Sequence, residues 1–285
     1  MKTILIADAG STKVDWAVLT DNGEILARFT TCGINALLVD DETLASTMAE
    51  AGCGIPSGVS PDEIFYYGAG CATPDICKKM QSAIHNNWPE ASISVNSDLL
   101  GAARSLFGHR KGIACILGTG SNSCLYDGNE ITCQIPSLGY ILGDEGSGAA
   151  LGKRLVVDVF KQQLPEDIRD KFLNRYGLSL PIVLDKVYRS AAPNRFLASF
   201  VPFLEENKWN PNIYSLVLDE LTNFVRRNVA MYPRAHSFEL SFTGSIAAVF
   251  EGILREAAAS QGYSISSISK EPMDGLVSFH CSQPL

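Results

Sequence analysis

The 285-residue chain is poor in charge and in histidine and has no long apolar run, and each shortage removes a class of function. Charged residues make up 19% of the sequence, and the 23 Lys and Arg are outnumbered by 31 Asp and Glu, for a formal net charge of −8. No basic run offsets that balance, so the chain is a poor candidate for gripping nucleic acid or an anionic membrane. No stretch of about 18 apolar residues occurs, so no membrane-spanning helix is expected. The apolar run at residues 4–7 meets Asp8 at once; it is too short for a signal-peptide core and reads as a strand. The four histidines, at 85, 109, 236 and 280, have no zinc-ligand spacing. The eight cysteines contain no C-x-x-C pair and several fall in apolar runs, so free thiols in a reducing cytoplasm are expected.

Two nucleotide motifs are also missing. No G-x-G-x-x-G follows a strand, so a dinucleotide fold has no support. The segment GSGAALGKR at 146–154 approximates a phosphate loop around Lys153. It has Ser147 where a glycine is required and Arg154 where Ser or Thr is required, so it reads as a helix start.

Hydrophobic residues are 46% of the chain, and a chain this long buries about three quarters of its unfolded surface, so it folds without staples. Its length favours two domains. Residues 4–7 form a buried strand that stops at Asp8-Ala9-Gly10-Ser11-Thr12-Lys13. Residues 14–19 form a second strand, Asp21-Asn22-Gly23 a hairpin turn, and residues 24–31 a third strand. Helical patterns at 41–51, 74–86 and 99–107 then alternate with strands at 64–69 and 92–96. The order is βββαβαβα, with parallel strands in the crossover part. The pattern restarts at 113–117, stops at Gly118-Thr119-Gly120-Ser121, and continues through strands at 123–126 and 131–135. Later come a strand at 238–243, a helix opened by Gly244-Ser245, and a strand at 264–269. This is an α/β duplication: an N-terminal domain over 1–110 and a C-terminal domain over 111–285, the second carrying a helical insertion at about 146–233.

The two glycine turns hold equivalent places in the two copies. A strand that ends in small residues leaves backbone N–H groups free, glycine lets phosphate approach, and the Ser11 and Thr12 hydroxyls add donors. Two such turns facing across a cleft would wrap a nucleotide's phosphates. Asp8, at the end of the first strand, is placed to hold Mg²⁺ through water. Each turn alone reads equally well as an ordinary hairpin. Ser97 or Asp98 could be a plain helix cap, and acids at 144 and 145 suit a helix start with no ligand.

Asp8-Ala9-Gly10-Ser11-Thr12-Lys13 resembles the first phosphate motif of the actin-like ATPase superfamily, Gly118-Thr119-Gly120-Ser121-Asn122 the second, and Phe242-Thr243-Gly244-Ser245-Ile246-Ala247 the adenosine motif. Ser97-Asp98-Leu99-Leu100-Gly101-Ala102 and the run from Gly139 to Ser147 are similar to the N-acetylglucosamine kinase family, which is grouped with the activator ATPases of benzoyl-CoA-type reductases. The resemblance runs from Ile4 to about Ser269. It implies two ribonuclease-H-like domains and an ATP-dependent kinase using Mg²⁺. Asp98 would be the catalytic base toward a sugar's primary hydroxyl, with Asp8 on the metal side. Gly10, Ser11, Thr12 and Lys13, together with Gly118, Thr119, Gly120 and Ser121, would hold phosphates, and Gly244 and Ser245 the adenosine. Asn35, Gly70, Asp98, Tyr140 and Asp144 would contact the sugar, while Glu145 could serve sugar, metal or helix. Tyr140 stands where animal members carry Trp, and the tail at 272–277 lacks the family's small-residue pattern.

The expected activity is therefore phosphorylation of an amino sugar, foremost N-acetylglucosamine at its 6-hydroxyl, in the cytoplasm. The expected partner is a small-molecule sugar, with no nucleic acid and no membrane; a homodimer is compatible with the family. Two alternatives stand beside this reading. One is an activator ATPase whose cysteines, Cys71 and Cys115 by default, bridge an iron–sulfur cluster across a dimer to drive an electron-transfer partner. The other is a sugar sensor without turnover.

Overall fold

The computed structural model describes residues 2–281 and divides the chain into two units. Among the described residues, one contains 2–112, 126–132 and 271–281; the other contains 113–125 and 133–270.

In the first unit the elements are β1 (Thr3–Ala9), β2 (Lys13–Thr20), β3 (Ile25–Cys32), α1 (Asp41–Gly54), β4 (Glu63–Gly68), α2 (Pro74–His85), β5 (Ser92–Ser97) and α3 (Asp98–Phe107). The sheet order is β3-β2-β1-β4-β5. The meander β1-β2-β3 is antiparallel, with Gly23 at φ +89° in the turn. The crossover strands β4 and β5 are parallel to β1, as βαβ connections require. Central β1 is apolar on both faces because both faces are covered. Leu5, Ala7 and Ala9 pack with Trp16, Met48 and Ile84 on one side, whereas Ile4 and Ile6 pack with Tyr67 and Leu276 on the other. Each such buried Leu or Ile contributes about 1.5–3 kcal/mol relative to exposure. Edge strand β3 alternates exposed and partly buried positions instead.

The second face is closed by the last helix of the chain, Met273–Cys281, which lies on α3. Ser105 Oγ donates to the Pro272 carbonyl at 2.7 Å, and a Cβ on Gly275 would fall 2.3 Å from the Ser105 carbonyl oxygen, so only glycine allows the approach. Arg104 donates to Tyr67 Oη at 2.9 Å, and that hydroxyl lies 3.0 Å from His280 Nε2. Burial and the nearby Arg104 guanidinium push the His280 imidazole down to about 4. These contacts fix α3 by its C-terminal half, leaving its first residue, Asp98, at the strand ends.

The second unit is built on β6 (Gly112–Leu117), β7 (Ser121–Tyr126), β8 (Ile131–Gln134), β9 (Leu240–Thr243) and β10 (Ile265–Ser269), in the sheet order β10-β9-β6-β7-β8. Its helices are α4 (Gly139–Leu142), α5 (Gly148–Phe160), α6 (Glu166–Tyr176), α7 (Leu180–Tyr188), α8 (Pro193–Ala198), α9 (Val201–Glu206), α10 (Pro211–Arg227), α11 (Ser245–Val249) and α12 (Glu251–Ser260); the terminal helix is α13. The expected α/β duplication is present: two mixed five-stranded sheets with helices, the second unit enlarged by α4–α10. The segment around Lys153 is a helix start, with Ser147 capping α5 through the Ala150 N–H. Among the described residues no helix is long and apolar enough to cross a membrane.

Candidate active site

In the first unit, β1, β4 and β5 run parallel and end together. The register sets Asp8 beside Tyr67, Ala9 beside Gly68, and Gly68 beside Ser97. Asp8, the loop at Gly70, and Asp98 therefore gather at the carboxyl ends of parallel strands, where α/β sheets bind ligands. The first glycine turn closes through Gly10 N–H to the Lys13 carbonyl at 3.0 Å. It is backed by Ile34 N–H to Gly10 and Gly33 N–H to Thr12. Asn35 Nδ2 lies 3.5 Å from Ser11 Oγ, and its Oδ1 accepts from Leu37 N–H at 3.1 Å. Gly70 has φ +83°, and a Cβ there would lie 2.4 Å from Asn35 Oδ1. Asn35 and Gly70, both expected on the sugar side, are thus in contact with each other and near the first phosphate turn.

The two acids share a neighbourhood. Burial, then the charges of Asp98 and Asp15, push Asp8 up to about 7. Burial also raises Asp98, against hydrogen bonds from backbone N–H groups, including Leu99 N–H at 2.8 Å. Ser97 is the cap of α3, its Oγ accepting from Leu100 N–H at 3.2 Å, while Asp98 is the first helical residue. The capping role that the sequence left open belongs to Ser97. Among the described residues the Asp8 carboxylate has no hydrogen-bond or ion-pair partner. A crowded, unpaired, half-buried carboxylate fits a divalent cation, which would relieve the like charges. Among the described residues no three His, Cys, Asp or Glu side chains group as metal ligands, so an ion at Asp8 would keep water and phosphate as its other ligands. Lys13 is drawn elsewhere: its ammonium pairs with Asp15 and Glu271, each at 2.8 Å.

In the second unit, Gly118 N–H bonds to the Gly120 carbonyl at 2.9 Å and closes the second turn. The turn carbonyls accept from the start of α5, Gly148 N–H to Gly118 at 2.8 Å and Ala149 N–H to Thr119 at 3.1 Å. Gly244 meets the end of β6: its φ is +116°, and a Cβ would lie 2.2 Å from the Leu117 carbonyl oxygen. Ser245 is exposed just beyond it, at the start of α11. Tyr140 sits on α4 and packs on the core of this unit, and its carbonyl accepts from Lys153 Nζ at 3.2 Å. Asp144 is buried with its carboxylate on the turn, accepting from Ser121 N–H at 3.4 Å. Burial pushes it up to about 6, against that hydrogen bond. Glu145 is tied to Arg227 of α10 at 2.6 Å.

No protein-family model matches the chain. It is 26% identical over 159 residues to a Vibrio cholerae protein named glucosamine kinase, a match over 55% of this chain and 54% of that one. The chain thus spans about half the length of that curated relative. A solved structure from Porphyromonas gingivalis, named a candidate N-acetylglucosamine kinase, is 42% identical, with 98% of each chain covered and a TM-score of 0.94. The chain belongs to the N-acetylglucosamine kinase family. That family is a branch of the sugar kinases within the actin-like ATPase superfamily. A further structure, from Chromobacterium violaceum and given the same candidate name, is 15% identical over 98% of this chain and 99% of that one, with a TM-score of 0.75, and shares the fold.

Family membership does not favour the activator-ATPase alternative, and burial argues in the same direction. Cys115 is fully enclosed and Cys71 nearly so, which removes both from a cluster shared with another subunit. The sequence reading missed three contacts of the site: Asp144 on Ser121, Lys13 on Glu271, and α13 on α3. Each joins residues 23 or more apart in the chain with no local motif between them.

Proposed function

We propose that the protein is an ATP-dependent amino sugar kinase that phosphorylates N-acetylglucosamine at its 6-hydroxyl, with Asp98 as the base and Mg²⁺ held at Asp8. The observation that carries this reading is the pair of half-buried acids, Asp8 and Asp98, set on either side of β4 beside the Gly10-Ser11-Thr12 turn. Support for an amino sugar comes from the names of the 42% and 26% identical relatives.

The chemistry is in-line phosphoryl transfer. The sugar hydroxyl oxygen bonds to the γ-phosphorus as the bond from that phosphorus to the bridging oxygen breaks. Asp98 takes the hydroxyl proton, and ADP leaves with the electron pair. Mg²⁺ bound beside Asp8 supplies neutralisation of phosphate charge. The raised affinity of Asp98 for a proton suits a base, because a carboxylate held out of water accepts a proton more readily than a solvated one. Asn35 and Gly70 orient the sugar. The backbone N–H groups of the glycine turns are the donors offered to phosphate, and most of the acceleration in such a transfer comes from positioning and charge neutralisation. An ATP-consuming enzyme with free thiols belongs in the reducing cytoplasm.

The test is an ADP-release assay across N-acetylglucosamine, glucosamine, N-acetylmuramic acid and their neutral parent hexoses. N-acetylglucosamine should give the highest kcat/KM. A neutral hexose in first place would overturn the amino sugar assignment. Sugar binding without ADP release from any of them would restore the sensor reading.

A further inference from the structure

The loop that follows β4 carries two thiols that the proposed kinase chemistry does not use. Cys71 comes directly after Gly70, and Cys77 lies in the first turn of α2. Cys77 Sγ stands 3.8 Å from the Cys71 carbonyl oxygen, so the loop folds back on the helix start. The backbone between them is closely tied. Cys71 N–H donates to the Gly68 carbonyl at 3.1 Å, Ala72 N–H to Gly70 at 2.8 Å, and Cys77 N–H to Thr73 at 3.0 Å.

The two thiols differ in access. Cys71 is 4% exposed, and its sulfur is walled in by the strand: a Cβ on Gly68 would lie 3.0 Å from Cys71 Sγ and 2.5 Å from Tyr66 Cε1. Burial, then the neighbouring Cys77 thiol and the Asp98 carboxylate, push the Cys71 thiol up to about 12. Cys77 is partly exposed, so a reagent in solution meets it first.

We propose that Cys71 and Cys77 form a modification site for a two-electron oxidant of the peroxide class, and that it closes into a disulfide. The Cys77 sulfur attacks one peroxide oxygen: an S–O bond forms, the O–O bond breaks, and water leaves with the thiol proton. The Cys71 sulfur then attacks the Cys77 sulfur: an S–S bond forms, the S–O bond breaks, and a second water leaves with the Cys71 proton. Both sulfurs are oxidised and the peroxide is reduced to two waters; dithiols return the pair by exchange. The bond would act on the sugar side of the first unit, a consequence that rests on the proposed roles of Asn35 and Gly70. Bonded sulfurs lie only about 2 Å apart, so the loop must shift to form the bridge. Gly70 has little slack, because a Cβ there would already lie 2.4 Å from Asn35 Oδ1. Ala36 N–H is bonded to the Ala69 carbonyl at 2.9 Å, so a shift of the loop reaches the segment that carries Asn35.

The test treats the whole protein with hydrogen peroxide, blocks the remaining thiols, and reads both peptide masses and kinetics. The stretch from Gly68 to Lys78 contains only this pair of cysteines, so its mass separates them from Cys32 and Cys53, which are exposed and serve as controls. That peptide should lose two hydrogens. The KM for N-acetylglucosamine should rise about tenfold, the loss of roughly one hydrogen bond, while the ATP KM changes less than about twofold. Dithiothreitol should reverse both changes. Cys77→Ser should keep its sugar KM under peroxide, and Cys71→Ser should stop at a sulfenic acid on Cys77, which a 1,3-dione traps. Two free thiols in the Gly68–Lys78 peptide after Cys32 and Cys53 have reacted would overturn the proposal. So would a peroxide response in Cys77→Ser equal to that of the wild type. A bridge formed with no change in sugar KM would overturn its action on the sugar side. Absence of sugar turnover before any oxidation would overturn the kinase reading instead, and the peptide mass would still decide the bond.

Discussion

The two glycine turns are copies of one device, yet their carboxylates stand in opposite relations to them. In the first unit Asp8 lies beside the turn with no partner among the described residues, and the turn's own lysine is pulled away by Asp15 and Glu271. In the second unit Asp144 sits on the turn and uses one of its N–H donors. The duplicated backbone therefore conserves a shape, an apolar strand that ends in an N–H-rich turn, and leaves the charge around it free to diverge. One copy concentrates acids suited to a metal ion and an alcohol proton. The other places a single acid on the turn proposed to hold phosphate. Such a division suits a two-substrate transfer, in which the reacting oxygen and the phosphate need opposite electrostatic surroundings.

The largest effect should come from removing the acid specific to the first copy. Asp98→Asn keeps size and can still accept from Leu99 N–H, but it cannot take a proton. With Ser97 as the cap, the melting temperature should hardly move. Turnover should fall about 10²- to 10⁴-fold, the usual worth of a general base, with nucleotide affinity nearly unchanged. Steady-state kinetics and thermal melting on the one variant decide it; wild-type turnover would remove Asp98 from the base role.

How much of this division was legible in the sequence depends on the range of the contacts. The strand–turn–strand units and their helices follow from local periodicity and from glycine placement, and the structure reproduces that order nearly element for element. Asp8 and Asp98 could be placed at strand ends from the sequence because each ends, or directly follows, a strand-like run; the roles proposed for them come from the family resemblance. The contact of Asp144 on Ser121 was not legible. It needs left-handed backbone at Leu138 and at Asp144 itself, and neither residue type announces such a conformation. The helix α13 was not legible either, because nine residues led by a proline carry little periodic signal. Its docking relies on Gly275 passing close to Ser105, a residue far back in the chain.

A smaller effect should separate the sugar side of the first unit from its phosphate turn. Gly70→Ala places a Cβ into Asn35 Oδ1 at a backbone φ that disfavours alanine. Asn35 must move, so the sugar KM should rise about tenfold, the loss of roughly one hydrogen bond, while the ATP KM changes less than about twofold. Equal rises in both constants would place Asn35 and Gly70 with the nucleotide instead.

The unpaired state of Asp8 predicts an inverted pH response. A carboxyl held near 7 in the folded protein and near 3.8 unfolded binds its proton more tightly when folded. It therefore costs stability progressively as pH rises from about 4 to about 7, and the cost persists above that range. Asp8→Asn should raise the melting temperature at pH 8 by several degrees and leave it nearly unchanged at pH 4. In the wild type, added Mg²⁺ should recover part of that gain at pH 8; in the variant it should not. A variant less stable than wild type at pH 8 would mean that the acid is satisfied by a partner rather than waiting for a cation.

The smallest effect concerns Lys13, where the family resemblance and the structure point in different directions. By its place in the motif, the lysine belongs to a phosphate. By geometry, its ammonium is held 2.8 Å from both Asp15 and Glu271, and it is about half exposed. Exposed ion pairs contribute about 0–1 kcal/mol, so Lys13→Gln should shift the melting temperature by no more than a degree or two. The ATP KM tells the two apart. A lysine that remains on its acids predicts a change below about twofold, because the charge it lends to phosphate is already neutralised by two carboxylates. A lysine that swings to phosphate when nucleotide binds predicts a rise of about tenfold, the worth of a charge-assisted hydrogen bond. The geometry favours the first outcome. Two short contacts to acids must be given up before one contact to phosphate is gained, and Asp8 beside the turn already offers a place for Mg²⁺ to supply the positive charge. A tenfold rise with an unchanged melting temperature would reverse that conclusion and return Lys13 to the phosphate role that the motif implies.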